Sequence, residues 1–203
     1  MAPSLETMAP STLPPPGPAP PLTPHTFARA VDELRSVEPR KEITLVEVPA
    51  PQRLAPFSYA IGAEVQPPRT DELATGRLIL LFDPAGQESW QGQLRLVSYV
   101  TAELEPDLAN DPLLPEVAWS WLTDALDAHA PGYAALAGTV TQTTSTRFGE
   151  LAGPPAMADI ELRASWSPPA VDGALAGHLS AWCTLLASTA GLPPPGVSAL
   201  PDR

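Results

Sequence analysis

Between Phe57 and Leu104 three strand-like runs follow one another through connections too short for a crossover helix. Parallel neighbours need such a crossover, whereas antiparallel neighbours need only a turn, so this part of any sheet must be antiparallel. Phe57, Tyr59, Ile61, Ala63 and Val65 alternate with Ser58, Ala60, Gly62 and Glu64, the period of a half-buried strand. Leu78 to Phe82 is apolar throughout and reads as a central strand, with Asp83-Pro84-Ala85-Gly86 as the turn after it. A long strand follows, in which Trp90, Leu94, Leu96, Val100 and Leu104 oppose Gln91, Gln93, Arg95, Tyr99 and Glu103. Ile43 to Val48, closed by Pro49-Ala50-Pro51, supplies one more strand ahead of them.

Helical periodicity brackets and interrupts this set. Thr23 can cap a first helix with Pro24 in its first turn, and Phe27, Ala30, Val31, Leu34 and Val37 then share a stripe. After the long strand, Pro115 opens a second helix that projects Ala118, Leu122, Ala125, Leu126 and His129 from one face. Glu116, Ser120, Thr123, Asp124 and Asp127 take the opposite face. Trp119 and Trp121 flank the apolar stripe from its two sides, where a large ring either seals helix against sheet or is left for a partner. Pro131-Gly132 ends that helix. Tyr133 to Phe148 and Met157 to Trp166 read as two further strands. A last helix begins near Asp172, shows Leu175, Leu179, Trp182 and Leu186, and stops at Gly191.

The expected architecture is one α+β domain over 23–191, with three helices and a mostly antiparallel sheet of about six strands. Its order is α-β-β-β-β-α-β-β-α, and one sheet face is packed under helices. Residues 1–22 form a Pro-rich leader whose composition favours disorder, with Met8 an alternative start. Residues 192–203 form a Pro-rich tail.

Charge narrows the partners. A formal charge of −12, with only eleven Lys plus Arg, lacks the basic footprint that nucleic acid or an anionic membrane requires. There is no apolar run long enough to span a bilayer and no secretory leader, so the expected location is cytoplasmic. A single cysteine, Cys183, excludes a disulfide framework and a cysteine-based zinc site.

Candidate chemistry is sparse, and no catalytic set assembles. His25 lies in the first turn of the first helix, and His129 in the last turn of the second. His178 and Cys183 are five residues apart on one helix, which points them about 140° from each other and rules out a thiol–imidazole pair. His178 is instead expected to stack against Trp182, one turn along the helix. Glu103, Glu105, Asp107, Asn110 and Asp111 are dense in carboxylates but lack the glycine and bidentate glutamate of a calcium loop. Neither metal nor cofactor is expected. No phosphate-cradling glycine motif or nucleophile elbow occurs.

What remains is surface. Gln91, Gln93, Arg95, Tyr99 and Glu103 share one strand face; Asp159, Glu161 and Arg163 share another. If both look the same way they form a polar sheet surface carrying an aromatic ring and two arginines. Arg53, in the Pro-flanked turn Pro51-Gln-Arg-Leu-Ala-Pro56, could hold a carboxylate, most simply an internal one.

Several blocks carry a resemblance: Val48-Pro-Ala-Pro-Gln-Arg-Leu-Ala-Pro56, Leu73-Ala-Thr-Gly-Arg77, Asp83-Pro-Ala-Gly-Gln-Glu88, Asp111-Pro-Leu-Leu-Pro-Glu116, Trp119-Ser-Trp-Leu122 and the Trp182-Cys183 helix. From about Phe27 to Leu200 the chain resembles the domain-of-unknown-function family numbered 3000. The resemblance implies a GC-rich actinobacterial source, in keeping with a sequence whose single lysine is Lys41. It supplies no catalytic residue to carry over. The order of elements is also similar to type III secretion chaperone-like folds, an analogy of topology alone.

The resulting expectation is a non-enzymatic protein-binding or regulatory module. It would contact a protein partner or a second copy through the sheet face and the Trp119/Trp121 helix rim. The alternative is a small-ligand binder or enzyme with a helix–sheet pocket built from Arg53, Arg95, Tyr99 or His178.

Overall fold

The computed structural model of the chain describes residues 24–66, 74–104, 108, 111–151, 157–169, 173–194 and 197. The leader, the cap expected at Thr23, the helix start expected at Asp172, and Glu105, Asp107 and Asn110 of the acidic cluster lie outside them. Most of the Pro-rich tail does too. The elements are α1 (Pro24–Arg35), β1 (Ile43–Glu47), β2 (Phe57–Val65), β3 (Ala74–Gln87), β4 (Gly92–Leu104), α2 (Leu114–His129), β5 (Ala134–Ser145), β6 (Met157–Ser167) and α3 (Ala174–Thr189). Short 3-10 turns occupy Glu88–Trp90 and Gly149–Leu151. This is the expected α+β order, with six strands and three helices.

Every strand pair is antiparallel, and the order across the sheet is β1-β2-β3-β4-β6-β5. The chain leaves β4 through α2, lays down β5 at the far edge and returns with β6 to fill the gap. On β4 the even-numbered residues Leu94, Leu96, Val100, Ala102 and Leu104 are buried, and on β6 Ala158, Ile160, Leu162, Ala164 and Trp166. They form the face on which all three helices pack. α3 lies in the middle of the helical layer, touching β3, β4, α1 and α2. It is accordingly apolar around most of its circumference, as a helix enclosed on several sides must be.

Close approaches set the helix positions. A Cβ at Gly76 would meet Trp182 and Leu186 at 2.8 and 2.9 Å, so this bare backbone seats α3 on β3. Gly177 of α3 lies against the carbonyl oxygen of His129, which brings α2 and α3 into contact. α1 is anchored by Phe27, whose ring stands 5.7 Å from that of Phe57 and 5.9 Å from that of Phe82. Glu33 of α1 also caps α3: its two carboxylate oxygens accept the Gly173 and Leu175 amides at 2.7 and 3.1 Å. At the other end Leu192 N donates to Ala187 O and Gly191 N to Ser188 O, with Gly191 at φ 64, a Schellman stop at the glycine that marks it in sequence.

Four expectations need correction. Trp90 and Gln91 are not part of the long strand: Trp90 ends a 3-10 turn, Gln91 follows it at φ 55, and β4 begins at Gly92. Asp83-Pro-Ala-Gly does not turn the chain: β3 continues to Gln87, and the segment makes an irregularity in the ladder between Phe82 and Gln87. Its turn chemistry is present, with Asp83 accepting the Ala85 amide at 3.0 Å and Gly86 at φ 73, but tertiary pairing to β4 turns it into a bulge. His129 is exposed rather than on the buried stripe, because α3 crosses beneath its backbone; its Nε2 meets Thr184 Oγ1 at 3.1 Å. His178 partners Trp166 of β6 rather than Trp182, which instead donates to Ser98 Oγ at 2.9 Å.

Candidate functional site

The odd-numbered residues of β4 and β6 face away from the helices. Register places Tyr99 opposite Arg163, Thr101 opposite Glu161 and Val97 opposite Ser165, so the two polar strand faces do look the same way. The row through Tyr99 extends across all six strands as Val46, Gly62, Arg77, Tyr99, Arg163 and Thr139.

On this open face Tyr99, Glu161 and Arg163 form a closed cluster. The Tyr99 hydroxyl donates to Glu161 Oε2 at 2.8 Å, and Arg163 Nε forms an ion pair with Glu161 Oε1 at 2.7 Å. The Arg163 guanidinium stands 5.5 Å from the Tyr99 ring centre, within cation–π range. Glu161, as acceptor, pushes the Tyr99 hydroxyl above its ordinary pKa, with burial adding to the effect. Tyr99 therefore holds its proton at neutral pH and acts as a donor, not a base. Arg163 commits Nε inward, and its Nη groups have no partner among the described residues.

Beside the cluster lies a shallow depression of about 400 Å³ lined by Val97, Tyr99, Ala137, Thr139, Arg163 and Ser165. It is lined by short side chains because Val97, Ser165 and Ala137 face one another across β4, β6 and β5. A second depression of about 880 Å³ sits at the end of the sheet, between the β3–β4 hairpin, Pro131–Ala134 and Ser167–Pro169. Neither lies between helix and sheet, where the alternative reading would put a pocket.

Arg95 shares the open face with Tyr99 but is only 9 % exposed. Its Nη1 donates to Ala135 O at 2.9 Å and Ser167 Oγ at 3.2 Å, and its Nη2 to Ser165 Oγ at 2.7 Å. Ala135 has φ 50, a left-handed conformation that costs a residue with a Cβ roughly 1 kcal/mol or more. That conformation begins the irregular stretch of β5 between Ala134 and Ala137, and Arg95 ties it to β4 and β6. All its acceptors are neutral, and burial lowers its pKa; this arginine is a cross-strand clamp.

The remaining candidates are dispersed. Arg53 is exposed at φ 72 in the loop after β1 and forms no internal ion pair among the described residues, contrary to expectation. That loop lies on the open face: Ser58 Oγ donates to Pro51 O at 3.1 Å, and Arg77 Nη2 donates to Pro49 O. His178 is fully buried, accepts at Nδ1 from Trp166 Nε1 at 3.1 Å, and leaves Nε2 without a partner. Burial lowers its pKa to about 4, so the ring is neutral and sealed from solvent. Cys183 is likewise buried, its thiol pushed up to about 12. Neither group is available as acid, base or nucleophile near neutral pH.

Both flanking tryptophans are half-buried and packed against the core. Trp119 rests on β5, where a Cβ at Gly138 would come within 2.6 Å of its Cζ3. Among the described residues no three of His, Cys, Asp and Glu gather as a metal site, and no helix is long and apolar enough to cross a membrane. Sequence pattern alone placed Glu161 and Arg163 on one strand face. Their partnership with Tyr99 needed the β4–β6 pairing, which no local signal encodes.

No curated protein and no solved structure matches the chain. A family model described as protein of unknown function (DUF3000) matches residues 23–198. With the match spanning the whole α+β domain, the chain belongs to the DUF3000 family.

Proposed function

We propose that this protein is a non-enzymatic, protein-binding module whose contact surface is the open sheet face around Tyr99. One observation carries the reading. The exposed aromatic ring of Tyr99 and the exposed guanidinium of Arg163 over it stand beside a shallow, small-residue depression, while the histidine and thiol of α3 are sealed in the core. A broad shallow surface with an aromatic and an arginine suits a polypeptide better than a small molecule, which prefers a concave pocket. The unpartnered Arg163 Nη groups offer a fork for a carboxylate on that polypeptide.

A cytoplasmic location and an actinobacterial source complete the proposal, supported by the acidic, lysine-poor composition. The test is a photo-crosslinking residue placed at Tyr99 in cells, with Asp32 on exposed α1 as the control position. A discrete adduct with one polypeptide at position 99, lost on Arg163→Ala and absent at position 32, is expected. Equal, diffuse labelling at both positions would sink the reading.

A further inference from the structure

The two edges of the sheet are defended differently. β1 has five residues and ends at Glu47, whose carboxylate is held by Arg35 at 2.8 Å. β5 has twelve residues, Ala134–Ser145, with no proline and no charged side chain. Its irregularity, between Ala134 and Ala137, is confined to the start of the strand. Ala137, Gly138, Thr139, Thr141, Thr143, Thr144 and Ser145 are exposed. β5 is terminal in the sheet, so no strand of the described residues lies along its outer side. A long edge with no proline and no charged side chain is a template for another strand; among the described residues its side-chain contacts include Gln142 Nε2 donating to Leu108 O at 3.5 Å.

Charge and symmetry select the strand that fits. With a formal charge of −12, two copies repel through most approaches, and the uncharged β5 edge is an approach where that repulsion is weakest. Two β5 strands related by a two-fold axis normal to the sheet are antiparallel by construction. Directly opposed residues in such a pair point to the same face, so one residue lies opposite its own copy. The stretch from Ala137 to Ser145, exposed except at the half-buried Val140 and Gln142, is centred on Thr141. With the axis there, Thr139 faces Thr143 of the second copy, and threonine pairs across strands are favourable. Pairing over that stretch adds about eight to ten backbone hydrogen bonds between chains. Trp119, half-buried on Gly138, sits over this same strand and would lose further exposed surface.

We propose that the outer edge of β5 is a dimerisation surface, pairing antiparallel with β5 of a second copy about a two-fold axis at Thr141. The two six-stranded sheets become one, and both Tyr99 surfaces lie on the same side of it. This proposal stands apart from the Tyr99 reading, because it uses the strand edge and not the sheet face.

Sedimentation equilibrium of the full chain from 1 to 100 μM, concentrations of roughly the range where such edges associate, tests it with two variants. The wild type is expected to run at twice 21.3 kDa at the upper end. Thr139→Lys with Thr143→Lys places like charges directly opposite each other at two positions and should raise the dimer Kd about tenfold or more. Its circular dichroism and melting should match the wild type. Thr141→Cys should form a covalent dimer on mild oxidation, and buried Cys183 should not compete. A folded wild type that stays monomeric at 100 μM (about the top of that range) overturns the proposal. So does a dimer that persists unweakened in the folded lysine variant. A monomer that still gives the discrete adduct at position 99 refutes this dimer and leaves the binding surface standing.

Discussion

Replacing His178 by asparagine would isolate an acid sensitivity built into the core. The ring is 0 % exposed, and its Nδ1 accepts the Trp166 indole proton at 3.1 Å, so the neutral tautomer carries its own proton on Nε2. Charging the ring requires a proton on Nδ1, where Trp166 already points one, and a cation where there is no solvent. Its pKa is therefore held at about 4, against 6.5 for an unperturbed histidine. The unfolded chain binds a proton between these values that the folded chain refuses. Stability is thus fully present above pH 6.5 and is lost as pH falls toward 4. Linkage puts the loss at about 2 kcal/mol between pH 7 and 5 and about 3 kcal/mol by pH 4. For a domain stable by roughly 5–15 kcal/mol this is a large fraction.

Asparagine can place its Oδ1 near the position of Nδ1 and keep the Trp166 bond, but it does not titrate. Urea unfolding of wild type and His178→Asn, followed by tryptophan fluorescence at several pH values, gives the difference between them. Carboxylates with lowered pKa, such as Glu42 and Glu47, contribute equally to both and cancel. The variant should start less stable at pH 7, from lost ring packing, and gain about 2 kcal/mol on the wild type by pH 5. Parallel stability curves across that interval would refute the account of a neutral, sealed imidazole.

Other perturbations probe the scaffold around the surface. Gly138→Ala should cost about 1–3 kcal/mol, because its Cβ meets both Trp119 and the Arg163 carbonyl; a matching melting temperature would show that the strand yields freely. Arg95→Met removes three donated bonds and should cost about 1–3 kcal/mol, with faster amide exchange confined to the start of β5. Exchange that rises evenly over the sheet would deny Arg95 its clamping role. Glu33→Ala uncaps α3 and should lower stability by about 1 kcal/mol, which chemical denaturation can measure.

Much of the fold was legible because each segment reports its own environment. The alternation in β2, β4 and β6 follows from one covered and one open face, and the stripes of α1 and α2 follow from one-sided packing. Where an expectation failed, a distant partner had overruled a local signal. Asp83–Gly86 has turn chemistry, yet pairing with β4 carried the strand through it. His129 has the period of a core residue, but α3 passes under its backbone and leaves the ring outside. Glu33 gives no hint in sequence that it caps a helix some 140 residues away.

The candidate surface divides in the same way. Tyr99 and Arg163 each stood out as polar residues on the open side of a strand, since side-chain direction is set by a period of two. That they touch was decided by β6 entering beside β4 and displacing β5 to the edge.

The sequence by itself determined the α+β order, the antiparallel hairpins and the single covered face, because periodicity and short connections act locally. The tertiary structure decided strand order, the neutral burial of His178, the cross-strand bonds of Arg95 and the exposed edge of β5. Those outcomes depend on which segments meet after long loops close, and no local pattern records that choice.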